Sequence, residues 1–218
     1  MIAMFELSRS DIGFGKLLVD DEGITRTKLI RRESIRWDDV REYRLRIDYT
    51  ARNPYSMFRT IFDDLEDVNR ALRGRSYREY QMTLFGETDH VQFNWRFRHV
   101  ELAVEAALAH VEPRITAAAR TLLQRERYVR FGPLAISRDA LELDGDRIAR
   151  EHVEQIQLLD VSPTYVRVMK RGKVWPFAKL RLYELPNPHS ALLLAEELGY
   201  VIGNRELLFT VPEMRSHL

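Results

Sequence analysis

The chain reads Glu42-Tyr-Arg-Leu-Arg-Ile-Asp-Tyr49 in its first half, and this stretch indicates the class of fold. Its apolar and aromatic residues alternate with Arg44, Arg46 and Asp48, which is the period-two pattern of a half-buried β-strand. Further short strands are predicted before it, between residues 16 and 37, and after it at 77–85 and 91–97. The first half is therefore predicted to be mainly β.

Two segments of this half have helical spacing instead. Residues 55–73 lie between Pro54 and Gly74 and place an apolar stripe opposite acidic side chains, which predicts an inserted amphipathic helix. This helix either packs on its own unit or forms an interaction surface through Phe58, Ile61, Phe62 and Leu65. A second helix is predicted from about residue 100 to 112, and Pro113 either kinks it or opens another helix that extends to about residue 127.

The second half is predicted to repeat the alternation of strands and turns. Strands are expected at 128–137, 140–143, 152–160, 165–170 and 173–183, with tight turns at Asp144-Gly145 and Arg171-Gly172. Asn187-Pro188 predicts a helix start with Asn187 as the cap, and Gly199 marks the end of that helix. Residues 207–211 predict a terminal strand, within the same unit or added to a neighbour.

The two halves show a weak internal repeat. Phe14, Gly15, Leu17 and Val19 match Phe131, Gly132, Leu134 and Ile136 at an offset of 117 residues. At an offset of 113 residues, Ile35, Val40, Tyr43 and Leu45 match Ile148, Val153, Ile156 and Leu158. We therefore predict a first unit at 1–112, a linker helix at 113–127 and a second unit at 128–218. The alternative is that any two runs of short strands have this much in common.

Three stretches carry a resemblance to a known fold: Tyr128-Val-Arg-Phe-Gly-Pro-Leu-Ala-Ile-Ser137, Val174-Trp-Pro-Phe177 and Pro186-Asn-Pro-His189. They look like the uncharacterised bacterial pleckstrin-homology-like (PH-like) families, over residues 128–200 and, less closely, 14–112. The resemblance implies an α+β protein of two PH-like units, each a partly open antiparallel β-barrel capped by a C-terminal helix. It also implies a binding role, without indicating the ligand.

Composition excludes several classes of function. The chain has 34 basic and 33 acidic residues, so its net charge of +1 provides no overall field that would attract nucleic acid. The absence of cysteine excludes disulfides, thiolate catalysis and cysteine-ligated metals. The amino terminus lacks signal-peptide features and no stretch is long enough to cross a bilayer, so we expect a cytoplasmic protein without a transmembrane segment.

Motifs for catalysis or cofactor binding are absent from the sequence. Gly13-Phe-Gly15 lacks the third glycine of a dinucleotide fingerprint, the six histidines are scattered, and there is no Gly-x-Ser-x-Gly elbow. Ser190 directly follows His189 and is expected in the first turn of a helix. We therefore predict no catalytic, metal or cofactor site. An enzyme whose site is assembled from distant residues stays an open alternative.

A basic and aromatic segment at 167–181 is the main candidate binding patch. It contains no acidic residue and comprises Arg167, Lys170, Arg171, Lys173, Trp175, Lys179 and Arg181. Such a patch suits lipid phosphates, an acidic protein segment or a nucleic-acid backbone, and the alternative is a solvated turn with strand-edge charges. A weaker cationic run, Arg26, Lys28, Arg31 and Arg32, is followed by Glu33.

These features predict a non-catalytic binding or scaffolding protein that recognises a partner protein or another copy of itself. A first alternative is a peripheral membrane adaptor that binds anionic lipid through the basic 167–181 segment. A second alternative is an enzyme with an unrecognised site.

Overall fold

A computed structural model describes residues 5–8, 15–28, 31–50, 77–159, 163–205 and 207. The predicted insert helix at 55–73, with Phe58, Ile61, Phe62 and Leu65, lies outside the described residues. The predicted strand at 207–211 also lies outside them, except for Leu207. All statements below concern the described part of the chain.

The first seven described strands form two antiparallel sheets. One sheet contains β1 (Phe5–Ser8), β2 (Gly15–Val19), β3 (Gly23–Lys28) and β4 (Arg31–Arg36) in chain order. The other contains β5 (Glu42–Thr50), β6 (Tyr77–Phe85) and β7 (His90–Asn94). In β5 the side chains of Tyr43, Leu45 and Ile47 are buried while their neighbours are only partly covered, which confirms the predicted alternation.

The first helix, α1, is continuous over Val100–Glu126 and has Pro113 inside it. Pro113 is exposed, so its ring meets solvent and not the core. The next residue, Arg114, donates through Nη2 to the backbone oxygens of Trp37, at 3.1 Å, and Val40. The predicted segment 113–127 is therefore the second half of one long helix and does not begin a new one. The boundary predicted between residues 112 and 113 falls within α1. The division of the chain into two units stays a prediction.

The second half has the same order of elements. Strands β8 (Tyr128–Phe131), β9 (Leu134–Ser137), β10 (Ala140–Leu143) and β11 (Asp146–Ala149) form one antiparallel sheet. Strands β12 (Val153–Leu159), β13 (Tyr165–Lys170) and β14 (Pro176–Arg181) form another, which gains the short parallel β15 (Ile202–Gly203) beside β12. The helix α2 (Pro188–Glu197) lies between β14 and β15 in the sequence.

The prediction of a single strand at 128–137 is wrong, because this stretch forms the hairpin of β8 and β9. Gly132 has a φ of +55°, a backbone conformation that glycine adopts without a steric penalty. Pro133 has no N–H to offer a ladder. The two residues therefore form the turn, and Phe131 pairs directly with Leu134.

The described residues define an α+β protein with mostly antiparallel sheets and two helices longer than one turn. Their strands form four open sheets and no closed barrel. Buried apolar side chains from both halves make one continuous cluster, which includes Tyr43, Phe93, Leu134 and Ile156. Neither of these helices is long and apolar enough to cross a membrane.

Candidate functional site

The predicted basic patch lies on the β13–β14 hairpin and divides into two groups. The first group, which we call the hairpin tip, is Lys170–Trp175, which comprises the last residue of β13 and the connection to β14. Its side chains Val174 and Trp175 are 87% and 83% exposed. Lys170, Arg171 and Lys173 make no side-chain ion pair with a described acidic residue. The tip thus presents two exposed apolar side chains and three cations, of which Arg171 and Lys173 are exposed and Lys170 is half-buried.

The second group lies on the outer face of the same hairpin and is already engaged within the protein. Arg167 and Lys179 stand opposite each other in the strand pairing, and Arg181 stands opposite Tyr165. Lys179 Nζ is 3.8 Å from the centre of the Tyr165 ring, and Arg181 Nη1 donates to the Tyr183 hydroxyl at 2.6 Å. Arg167 Nε donates to a glutamine side chain on β12 at 2.8 Å. The seven predicted residues therefore do not form one surface.

The weaker cationic run surrounds a single carboxylate. Glu33 accepts from Lys28 at 3.0 Å, and its oxygens are 3.3 Å from Arg31 Nε and 3.9 Å from Arg26 Nη1. Burial acts to raise the pKa of Glu33, but the hydrogen bond from Lys28 and the three nearby positive charges lower it overall. This run is an ion-pair network on β3 and β4, and only Arg32 of the four cations is left to face the adjacent cleft.

Two polar clefts lie among the strand connections, one in each half. The cleft of the first half has a volume of about 530 Å³ and is formed by residues 20, 22–25, 32, 34–36, 39, 41 and 86–89. That of the second half, of about 380 Å³, is formed by residues 138–139, 150–151, 153–154, 171 and 199–201. Five acidic residues and three arginines line the first, and three of each kind line the second. The first cleft therefore has the more negative lining.

A buried polar cluster, which we call the junction cluster, joins β5, α1 and α2. The Tyr43 hydroxyl donates to Glu112 Oε2 at 2.5 Å and lies 3.2 Å from His189 Nδ1. The hydroxyls of Thr116 and Ser190 donate to Glu112 Oε1 at 3.1 and 3.0 Å. Every member except Glu112 is buried. One carboxylate of α1 thus binds hydroxyl groups from both halves of the chain.

Asn187 connects the halves through the backbone of β5. It occupies the N-cap position of α2, as predicted, but its side chain makes no cap hydrogen bond. Instead, the Tyr43 N–H donates to Asn187 Oδ1 at 2.8 Å, and the Asn187 N–H donates to the Tyr43 carbonyl at 2.9 Å. The Thr164 N–H and hydroxyl both donate to the Ile47 carbonyl at 3.0 Å. The outer edge of β5 is therefore covered by the second half of the chain.

Burial controls the electrostatics of the junction cluster. It raises the pKa of Glu112, although the hydrogen bonds from Tyr43, Ser190 and Thr116 act in the opposite direction. Burial, and then the nearby charge of Glu112, raises the pKa of Tyr43 well above its usual range. Ser190 is 0% exposed and its hydroxyl is bonded to Glu112, so it is not placed to attack a substrate. The cluster is a structural connection.

Sequence reasoning did not find this cluster because its members are far apart in the chain. Tyr43 is separated from Glu112 by 69 residues and from His189 by 146. Each residue alone looked ordinary: a strand tyrosine, a glutamate beside a proline, a helix serine. Within the described residues, no group of three or more histidine, aspartate or glutamate side chains could hold a metal ion.

The arrangement defines an α+β protein with an exposed cationic hairpin, two polar clefts and a buried junction between its halves. The chain matches no protein-family model, and no curated protein matches it. Its function is therefore inferred from these surfaces.

The raised pKa of Glu112 predicts a pH dependence of stability that a glutamine would remove. The folded protein holds the Glu112 proton more tightly than the unfolded chain, whose carboxyl titrates near 4.5. As the pH rises from 4.5 through the folded pKa, ionisation of Glu112 lowers the free energy of unfolding. We expect the wild-type value to fall relative to that of Glu112→Gln over this window. Urea unfolding of both proteins at each pH gives the free energy of unfolding of wild type minus that of Glu112→Gln. A value that stays constant or rises with pH would contradict the prediction.

Proposed function

We propose that this chain is a non-catalytic binding protein of two PH-like units, and that its hairpin tip recognises another protein. The order of elements supports two units, because each half has four antiparallel strands, then three, then a helix. This is the order that the resemblance implies for a PH-like unit. The buried junction of β5 with α2 then holds the two units together.

Equivalent hydrogen bonds support a duplication. The Trp37 N–H donates to the Glu22 carbonyl at 3.0 Å, and the Arg150 N–H donates to the Asp139 carbonyl at 2.8 Å. Glu22 and Asp139 are 117 residues apart, while Trp37 and Arg150 are 113 apart, which are the two offsets of the sequence repeat. A short 3₁₀ helix begins at Trp37 and another at Arg150.

The helices support the same conclusion. His99 and Asn187 are the N-caps of α1 and α2, and both have left-handed backbones, with φ of 55° and 50°. They are 88 residues apart. At this offset the buried residues Val100, Ala103, Val104, Ala106 and Ala107 coincide with the buried residues Pro188, Ala191, Leu192, Leu194 and Ala195. Such coincidence of burial is expected of two copies of one unit.

The exposure of the hairpin tip is the observation that carries the binding role. Val174 and Trp175 have the largest exposed fractions among the large hydrophobic side chains of the described residues. Exposed apolar side chains that protrude together mark interaction sites, and tryptophan is among the residues that contribute most to protein interfaces. The three cations beside them can pair with acidic groups of a partner.

Magnitudes favour a protein partner over a lipid surface. Three cations near an anionic membrane contribute about 1 kcal/mol each, and burial of two apolar side chains contributes roughly 1.5 kcal/mol each. The total of about 6 kcal/mol is similar to that of a single acyl chain, which anchors a protein only marginally. A shaped protein pocket adds close packing around Trp175. Anionic membrane is the second candidate, favoured by the position of Trp175 beside three cations.

Affinity purification from the native cell tests the proposal. A variant with Lys170, Arg171 and Lys173 changed to glutamine and Trp175 changed to alanine should lose its protein partner. The control variant changes Lys16, Arg125 and Arg147 to glutamine, because these exposed residues alter the net charge equally but lie elsewhere. Retention of the partner by the tip variant would overturn the proposal. Binding to anionic liposomes that weakens with salt, without a protein partner, would favour the membrane candidate.

A further inference from the structure

We infer that the partner is a second copy of this chain, whose first-half cleft receives the hairpin tip. This inference rests on the proposed binding role of the tip. The receiving surface, which we call the acidic cleft, is the cleft of about 530 Å³ in the first half. Its acidic side chains are Asp20, Glu22, Asp39, Glu87 and Asp89.

The first argument is the opposite charge of two corresponding hairpins. In the first half, the β6–β7 connection carries Glu87 and Asp89 and contains no basic residue. The corresponding β13–β14 connection carries Arg171 and Lys173, directly after Lys170, and contains no acidic residue. One chain therefore has an acidic end in one half and a basic end at the same place in the other. Complementary ends of this kind favour association between copies.

The second argument is the fit of the tip to the acidic cleft. A volume of about 530 Å³ lies within the range of about 300–1,000 Å³ typical of sites that enclose organic groups. The exposed carboxylates of the lining, Asp39, Glu87 and Asp89, can pair with the cations of the tip. Arg41 is 3.6 Å from Glu87 and neutralises part of this charge, yet acidic residues still outnumber arginines five to three.

The third argument is selectivity between the two clefts. The second-half cleft is smaller, at about 380 Å³, and its acidic and basic side chains are equal in number. Arg171, a member of the tip, is itself part of that lining. The second-half cleft therefore offers no net attraction to a cationic tip, and the acidic cleft is the complementary surface.

The contact joins different surfaces of the two copies, so each associated pair keeps a free tip and a free cleft. Head-to-tail contacts of this kind grow into open chains or rings and do not stop at a dimer. The wild-type protein should therefore form assemblies whose size increases with concentration. Added salt should reduce their size, because charge pairs contribute to the contact.

Sedimentation velocity with two blocked variants tests this polarity. The tip-blocked variant changes Lys170, Arg171 and Lys173 to glutamine and Trp175 to alanine. The cleft-blocked variant changes the exposed Asp39, Glu87 and Asp89 to lysine. Each variant alone should be monomeric, whereas their mixture should form a one-to-one complex and nothing larger, because one intact tip and one intact cleft are left. A single Trp175→Ala change should weaken wild-type association at least about 30-fold.

Other outcomes would overturn the inference. They are a wild-type protein that stays monomeric at every concentration, a cleft-blocked variant that still assembles alone, and a mixture of blocked variants that does not associate. If the wild type is monomeric but the tip-blocked variant loses a different captured protein, the proposed function stands and the self-association fails. If the wild type neither self-associates nor captures another protein, and only anionic liposomes bind the tip, both protein proposals fail.

Discussion

Replacing Tyr43 with alanine is expected to lower the free energy of unfolding by about 5 kcal/mol. The Tyr43 side chain is 0% exposed and lies in the continuous core. Truncation of a buried aromatic residue typically costs about 3–5 kcal/mol. The change also removes a hydroxyl that bonds to Glu112 and accepts from the His189 N–H at 3.2 Å. Leaving these buried groups without that partner adds about 1–3 kcal/mol.

Tyr43→Phe is the matched control, because it keeps the ring and removes only the hydroxyl. Its expected effect is a loss of about 2 kcal/mol. Urea unfolding followed by circular dichroism measures both variants against wild type at neutral pH. A loss of less than about 2 kcal/mol for Tyr43→Ala would mean that Tyr43 does not hold the junction cluster together.

Replacing Asn187 with alanine is expected to lower the free energy of unfolding by about 3 kcal/mol. Its Oδ1 is the partner of the buried Tyr43 N–H, and an unpaired buried donor costs about 1–3 kcal/mol. Its φ of 50° is also a left-handed conformation, which costs an alanine about 1–2 kcal/mol. The same denaturant titration measures the change.

Two controls separate these contributions. Asn187→Gly tolerates the left-handed backbone and should therefore lose only the hydrogen bond. His99→Ala makes the matching change at the corresponding cap of α1, which is exposed and also left-handed. It removes only a 3.6 Å contact with Glu101 and should therefore have a small effect. If Asn187→Ala is no worse than His99→Ala, the pairing with β5 contributes nothing to stability.

These variants also bear on whether the halves fold independently. The junction cluster and the Asn187 pairing join residues more than 140 positions apart. The buried apolar cluster is continuous across the halves. We therefore expect a single unfolding transition in wild type, and variants at Tyr43 to shift it as a whole.

Local patterns predicted the elements well wherever the pattern itself specified the structure. Alternation in residues 42–49 predicted β5, and Asp144-Gly145 and Arg171-Gly172 both mark turns in the structure. The pattern failed where two local signals conflicted. Residues 128–137 look like one apolar strand, but Gly132 and Pro133 make a turn within it. Pro113 suggested a break, yet α1 continues through it, with Pro113 on the exposed face of the helix.

The candidate binding patch was predicted as one group and is found as two. Strand alternation turned Arg167, Lys179 and Arg181 onto the sheet face, where tyrosine and glutamine side chains contact them. Only the residues of the connection protrude. Composition located the cations, whereas their freedom to bind depends on neighbours from other strands, which the local sequence does not reveal.

The sequence by itself determined the α+β class, most of the strands and turns, and the cationic hairpin, because these follow from spacing and composition over a few residues. Only the tertiary structure decided which cations are uncompensated, where the polar clefts lie and how Glu112 joins the two halves. Those properties depend on burial and on contacts between residues distant in the chain, and short-range patterns carry no information about such contacts.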